Sequence, residues 1–239
     1  PDFKIYITHA MEMMRNTYVN TPFSLSSNYS LSPGPFQTPS RWTTPQTTSK
    51  GETVCWERSI STHKSIVTLI AQSRYWLPNE IGGIVWFTPH SARAGCFTPF
   101  AVGQKSLPLG YTSNTMNHLD RGLSAFWAHK YLYNIIELKS NYMVDDVRQV
   151  QKMREIHVSL ALQKTLDETY VSNGDMDYVE NQYNSNAMET VTLFWKLSDD
   201  LMIKYADGFC NGGCEPHRLG YPQYWIDQVY IPPLDTRDD

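Results

Sequence analysis

Cys210 and Cys214 bracket Asn-Gly-Gly in the run Phe209-Cys210-Asn211-Gly212-Gly213-Cys214, and glycines beside an Asn allow the tight turn that brings two sulfurs together. The spacing predicts a small-loop disulfide. A zinc half-site is the competing reading, but structural zinc wants four ligands at recognisable spacings, and only His217 lies near. If Cys210 and Cys214 pair, the remaining cysteines, Cys55 and Cys96, either pair with each other or stay as free thiols in the core. The seven histidines (His9, His63, His90, His118, His129, His157 and His217) are dispersed, and no two share a helical face at metal-ligand spacing. They read as surface or structural residues, and no metal or cofactor is predicted. The paired acids Asp145-Asp146 and Asp199-Asp200 suit helix caps or solvated faces better than acid catalysis. Phosphate loops, nucleophile elbows, zinc-protease helices and dinucleotide fingerprints are all absent. Asn28-Tyr29-Ser30 is a glycosylation sequon in a polar stretch. With the predicted disulfide it favours a secreted or lumenal compartment.

The elements that must hold these residues change character along the chain. Residues 1–20 read as an amphipathic helix, from Phe3 to Val19, with Ile5, Ile7, Ala10, Met11, Met14 and Tyr18 at helical spacing. Residues 21–51 form a long loop, because Pro22, Pro33, Pro35, Pro39 and Pro45 forbid a continuous helix or central strand. Residues 52–102 predict four antiparallel strands: Thr53 to Ser61, Ser65 to Arg74, Gly83 to Phe87 and Ala94 to Ala101. On the second of these, Gln72 and Arg74 alternate and face the same way. Residues 119–206 predict long helices, Leu119 to Met143, Val144 to Tyr170 with Asp145 and Asp146 at its start, and about Asn184 to Tyr205. Residues 207–239 form a tail rich in Gly, Pro and aromatics. Strands followed by helices indicate an α+β domain over 1–239.

Composition narrows the function further. The chain has 239 residues, 41% of them hydrophobic, with 15 Tyr, 9 Phe and 7 Trp, which is enough apolar surface to order a core and excludes a disordered chain. Lys plus Arg number 20 against 24 Asp plus Glu, for a net charge of −4. Without clustered basic groups a nucleic-acid partner is excluded. The apolar runs, such as Ile81 to Phe87, fall short of the roughly 18 to 20 residues of a membrane span. The start at Pro1, with no initiator Met, basic n-region or apolar h-region, predicts an internal fragment or a processed chain.

Several short motifs then combine. Glu57-Arg58-Ser59-Ile60-Ser61-Thr62, Ala71-Gln72-Ser73-Arg74, Leu77 to Phe87 and Phe97-Thr98-Pro99-Phe100 follow Arg15 and Thr21-Pro22-Phe23, and precede Ser124-Ala125-Phe126-Trp127 and Leu219-Gly220-Tyr221-Pro222. Spread in this order from Ala10 to Trp225, they make the chain resemble the C-terminal part of the dipeptidase family of cysteine N-terminal-nucleophile hydrolases, relatives of secernins and penicillin V acylases. The resemblance implies a four-layer αββα sandwich, incomplete in this chain. It also implies a peptide hydrolase in which a cysteine exposed by cleavage attacks an amide while its own α-amino group acts as base. Residue 1 here is Pro and no Cys is terminal, so the nucleophile is expected on a separate N-terminal chain of the same precursor, and this chain alone is expected to be inactive.

In the resemblance Arg58 is the active-site arginine, holding a substrate carboxylate or lowering the thiol pKa. A surface ion pair of Arg58 with Glu57 or Glu52 is the other reading. Gln72 and Arg74 are weaker candidates for substrate or loop support, and the loop from Thr21 to Thr48 either borders the cleft or covers a surface. The expected substrate is a small peptide, and homo-oligomers are compatible with the pattern. The competing function is a non-catalytic structural or assembly protein that keeps the fold.

Overall fold

The computed structural model describes residues 4–27, 34–41, 46–55, 57–112, 117–212 and 215–229. The first helix, α1, spans Ile7–Met14 and buries Met11. It is shorter than its periodicity suggests because Tyr18 and Asn20 adopt left-handed backbone, at φ 60° and 63°, which no right-handed helix can contain. Among the described residues the next regular element is a two-residue ladder, β1 (Gln46–Thr47) against β2 (Thr53–Val54).

Three antiparallel strands follow, β3 (Val67–Ser73), β4 (Gly83–Pro89) and β5 (Thr98–Ala101), in the order β3-β4-β5. A single helical turn, α2 (Asn79–Gly82), joins β3 to β4. The expected strand from Thr53 to Ser61 is therefore cut to Thr53–Val54, and the strand expected from Ala94 begins at Thr98. Residues 91 to 97 are all buried, but as a loop whose backbone is held by side chains rather than by a neighbouring strand.

The helices follow as α3 (Ala125–Ile136), α4 (Ser140–Lys152), a π-helical segment Met153–Ser159, α5 (Leu160–Asn173) and α6 (Met176–Lys204). The break between the first two falls at Glu137 to Lys139 instead of at Met143, so Asp145 and Asp146 lie inside α4 rather than at its start. Asp146 accepts from Lys204 Nζ at 2.7 Å and from the Tyr205 hydroxyl at 2.9 Å, tying α4 to the end of α6. Gly174 closes α5 with φ 69° and Asp175 opens α6 by accepting from Tyr178 N at 2.9 Å, a left-handed C-cap followed by an N-cap. Helix α6 thus starts at Met176, ahead of the expected Asn184. The C-terminal part adds β6 (Phe209–Cys210) paired with β7 (His217–Arg218), and a helical turn α7 (Gln223–Ile226).

The architecture is α+β. Alternation along the strands separates the two faces of the sheet. Ile84, Trp86 and Ala101 point to the helices, where they form a core with Met11, Leu166, Val179 and Tyr183. A second core joins α3, α4 and α6 through Leu132, Ile136, Val147, Phe194 and Trp195. On the other face, Leu69 pairs with Phe87 and Val85 with Phe100. Tyr111 covers the β5 side of that face, with ring centroids 5.3 Å from Phe100 and 6.0 Å from Phe87. The β3 side stays open, with Val67 and Leu69 about half exposed, at 48% and 51%. Among the described residues no helix is long and apolar enough to cross a membrane.

Candidate active site

The segment from Glu57 to His63 is irregular, and side chains fix it. Ser61 N donates to Asn16 O at 3.0 Å, which docks the segment against the end of α1. Ser61 Oγ lies 2.8 Å from Ser91 Oγ and accepts from Arg93 N at 2.8 Å. Arg93 in turn forms an ion pair with Glu137 and donates to Ser140 Oγ, at the corner between α3 and α4. A chain of polar contacts therefore anchors this loop to the rigid helical layer. Ser59, Ser61 and His63 are buried, whereas Glu57 and Arg58 face solvent.

Two connected cavities meet at those exposed residues. A groove of about 490 Å³ is lined by Tyr18, Pro22, Phe23, Leu25, Cys55, Glu57 and Arg58. Leu25, Glu57 and Arg58 also line a recess of about 20 Å³ whose other walls include Ser40, Arg41, Ser59, Ser61 and His63, room for about one water molecule or a small polar group. Arg41 stiffens the wall by donating to Thr38 O and Ser40 O at 2.9 Å each and to Leu25 O at 2.5 Å. Ser40 Oγ sits 2.7 Å from the Tyr133 hydroxyl. The turn at Tyr18 to Phe23 holds its left-handed residues with side-chain bonds, Tyr18 N to Asn16 Oδ1 at 2.6 Å and Thr21 Oγ1 to Tyr18 O at 2.6 Å. Strained backbone persists only where surrounding bonds determine it.

Cationic groups outnumber carboxylates around the recess, with Arg41 and Arg58 against Glu57 on its walls and Lys64 and Lys130 against Glu137 near His63. Burial, then the positive charge of Lys64, holds the His63 imidazole below its ordinary pKa against the opposing pull of Glu137, and Lys130 and Arg58 push the same way as Lys64. Lys130 Nζ lies 3.0 Å from His90 Nε2. Burial lowers the Lys130 ammonium and, with Lys130 beside it, pushes His90 down to about 3. His90 therefore stays neutral at ordinary pH and accepts from the lysine. Its backbone is left-handed as well, at φ 63°.

Arg58, Gln72 and Arg74 are not brought together. The Arg58 side chain makes no ion pair or hydrogen bond among the described residues, so the alternative pairing with Glu57 or Glu52 does not form. Gln72 Oε1 accepts from Trp86 Nε1 at 3.2 Å on the helical side of the sheet. Arg74 is 4% exposed, pairs with Asp167 of α5 and donates to Ile81 O. Both side chains bond within the fold, and Arg74 braces the β3–β4 connection. What the sequence left unmarked is the company Arg58 keeps: Arg41, Ser61 and His63 around the recess, and Lys130 behind it. Ser61 lies within the quoted motif, but Arg41 and Lys130 reach the site from distant segments that share no spacing.

The cysteines differ from expectation. Cys55, Cys96 and Cys210 are free thiols, Cys55 exposed and Cys96 buried, so the Cys55–Cys96 bridge does not form. Cys96 is committed to the core beneath α3, where a second sulfur from the groove does not reach. Cys214 and the sequon residue Asn28 lie outside the described residues. Among the described residues no group of three or more His, Cys, Asp or Glu stands close enough to hold a metal ion.

No curated protein matches the sequence. The family model described as peptidase family C69 matches residues 1–153, a stretch that contains the groove, the recess, the whole β3-β4-β5 sheet and the Arg93 anchor on α4. The motifs that suggested a cysteine dipeptidase relative and this match agree, and the chain belongs to peptidase family C69.

Proposed function

We propose that this chain is the substrate-holding part of a dipeptidase-like hydrolase whose nucleophilic cysteine arrives on a separate N-terminal chain of the same precursor. The observation that carries the reading is Arg58: an exposed guanidinium with no partner among the described residues, at the junction of an apolar groove and a polar recess, inside the segment matched to a peptidase family. An unpaired arginine is suited to a carboxylate or an incoming thiolate, both of which it stabilises by charge-assisted hydrogen bonds. The open, apolar β3 side of the sheet at Val67 and Leu69 supports a second layer. Sheets rarely leave such a face to water. In this reading the partner chain lays its own sheet there and completes the αββα sandwich.

The chemistry is then ordinary amide hydrolysis. The thiol passes its proton to the α-amino group, the thiolate adds to the amide carbon, and the amine leaves with that proton. Water cleaves the resulting thioester, which frees the acid and regenerates the thiol.

The test uses the complete protein expressed from its full coding sequence, with every copurifying chain sequenced from its N-terminus and dipeptide turnover measured before and after thiol alkylation. A companion chain starting with Cys and alkylation-sensitive turnover is the expected result. Intact folded material without such a chain, or without turnover, overturns the reading and favours a non-catalytic assembly role.

A further inference from the structure

The groove and the recess differ in chemistry in a way that specifies orientation. The groove is walled by Tyr18, Phe23 and Leu25, and Phe23 is 75% exposed although it is a large aromatic. Leu25 is buried at the point where groove and recess meet. The recess is polar, holds one small group, and carries Arg41 and Arg58 against the single carboxylate of Glu57 on its walls. Lys64 and Lys130 add further positive charge near His63, which Glu137 offsets only in part. An apolar side chain and a single negative group, separated by only a few bonds, fit these two compartments together. A positive group does not fit the recess, because it would be desolvated among cations.

We propose that this site binds the carboxyl-terminal residue of a short peptide, with its carboxylate at the recess on Arg58 and its apolar side chain in the groove against Phe23 and Leu25. The proposal rests on the peptide-hydrolase reading above and gives that enzyme a preference: free carboxyl termini bearing Leu- or Phe-like side chains, over amidated termini and over glycine. Arg58 then serves as the carboxylate anchor, and the thiol of the partner chain is activated by other means. Arg41, whose guanidinium is spent on three backbone carbonyls, acts by positioning the wall and by its charge.

The experiment is binding, read by calorimetry on the complete enzyme with its nucleophilic cysteine alkylated, using alanyl-leucine, alanyl-leucine amide, alanyl-phenylalanine and alanyl-glycine. The free acid should bind about ten- to a hundredfold more tightly than the amide, the range of a charge-assisted hydrogen bond. Arg58→Gln should erase that difference and Arg58→Lys should restore part of it; Arg58 is exposed, so neither variant threatens folding. Phe23→Ala should reduce the preference for the leucyl and phenylalanyl peptides over alanyl-glycine about tenfold. Equal binding of acid and amide, or an acid preference that survives Arg58→Gln, overturns the proposal. Turnover of the unalkylated enzyme on the same peptides separates the two claims. Hydrolysis without carboxylate preference removes this inference and leaves the hydrolase. Carboxylate-dependent binding without hydrolysis of any peptide removes the hydrolase and leaves the site.

Discussion

Arg15 and Glu155 form an ion pair sealed from solvent, their side chains 2% and 3% exposed. Arg15 also donates to Ala92 O at 3.2 Å and to Gly95 O at 3.4 Å, while Glu155 accepts from Phe97 N at 2.7 Å. One pair thus ties α1, the loop entering β5 and the π-helical segment together. Burial is the largest influence on Glu155 and raises its pKa, with Arg15 opposing it. Arg15→Ala therefore leaves a carboxylate buried without its partner and should cost about 3–5 kcal/mol, read by urea unfolding at neutral pH. The gap to the wild type should narrow on acidification, because the orphaned carboxyl then folds in its neutral form. A loss under about 1 kcal/mol would show that Glu155 has another partner.

Arg74 should behave as a structural residue. Its loss strands Asp167, whose pKa burial already raises against the pull of Arg74. Arg74→Ala should lower the urea midpoint by the equivalent of about 3 kcal/mol. Gln72→Leu, which leaves Trp86 Nε1 without an acceptor, should cost about 1–3 kcal/mol. In the two-chain hydrolase proposed above, KM for dipeptides should stay at the wild-type value for both. A KM raised severalfold with stability unchanged would return either residue to the substrate site.

Thiol labelling separates the cysteines. Cys55 is exposed on the groove and should react with a maleimide in the native chain. Cys96 is wholly buried, and burial, with Glu155 nearby, pushes its thiol well up. It should label only on unfolding. Mass spectrometry of tryptic peptides after brief and denaturing exposure checks both. Rapid native labelling of Cys96 would mean that the core beneath α3 opens. Among the described residues Cys55, Cys96 and Cys210 are free thiols, and Cys214, the partner expected for Cys210, lies outside them.

What the sequence revealed follows from how local each signal is. Strand β4 is legible because Gly83 to Phe87 is apolar on both faces, and β3 because Leu77-Pro78-Asn79 ends it. The strand expected after Thr53 fails because its partner among the described residues, Gln46–Thr47, is two residues long. Beyond it, Ser61 bonds to Asn16 and Ser91 instead of to a neighbouring strand. The break at Glu137 to Lys139 has no Gly or Pro to announce it. Arg93, more than 40 residues earlier in sequence, fixes that corner by gripping Glu137 and Ser140. Arg58 stood out through its motif, but Arg41 and Lys130 come near it only through tertiary packing, which leaves no spacing to read.

Two buried imidazoles should make the fold acid-labile. His90 is held down to about 3 by burial, then by Lys130 and His129, with backbone contact to His63 opposing. His129 is held to about 4 by burial, although its Nδ1 lies 2.8 Å from Ala125 O. The unfolded chain takes up a proton at each near the ordinary 6.5, whereas the folded chain resists until those lower values. Between them the folded state binds fewer protons, so stability is full above about 6.5 and falls as the pH drops. Each histidine contributes about 1.4 kcal/mol per pH unit across that window. His90→Asn keeps a residue that tolerates the left-handed backbone at this position and removes one of the two titrations. Urea unfolding at intervals from pH 7.5 to 4.5 should show the variant's slope reduced by about that amount per pH unit. An unchanged slope would mean that His90 is already protonated in the folded protein, and that its contact with Lys130 is not a hydrogen bond.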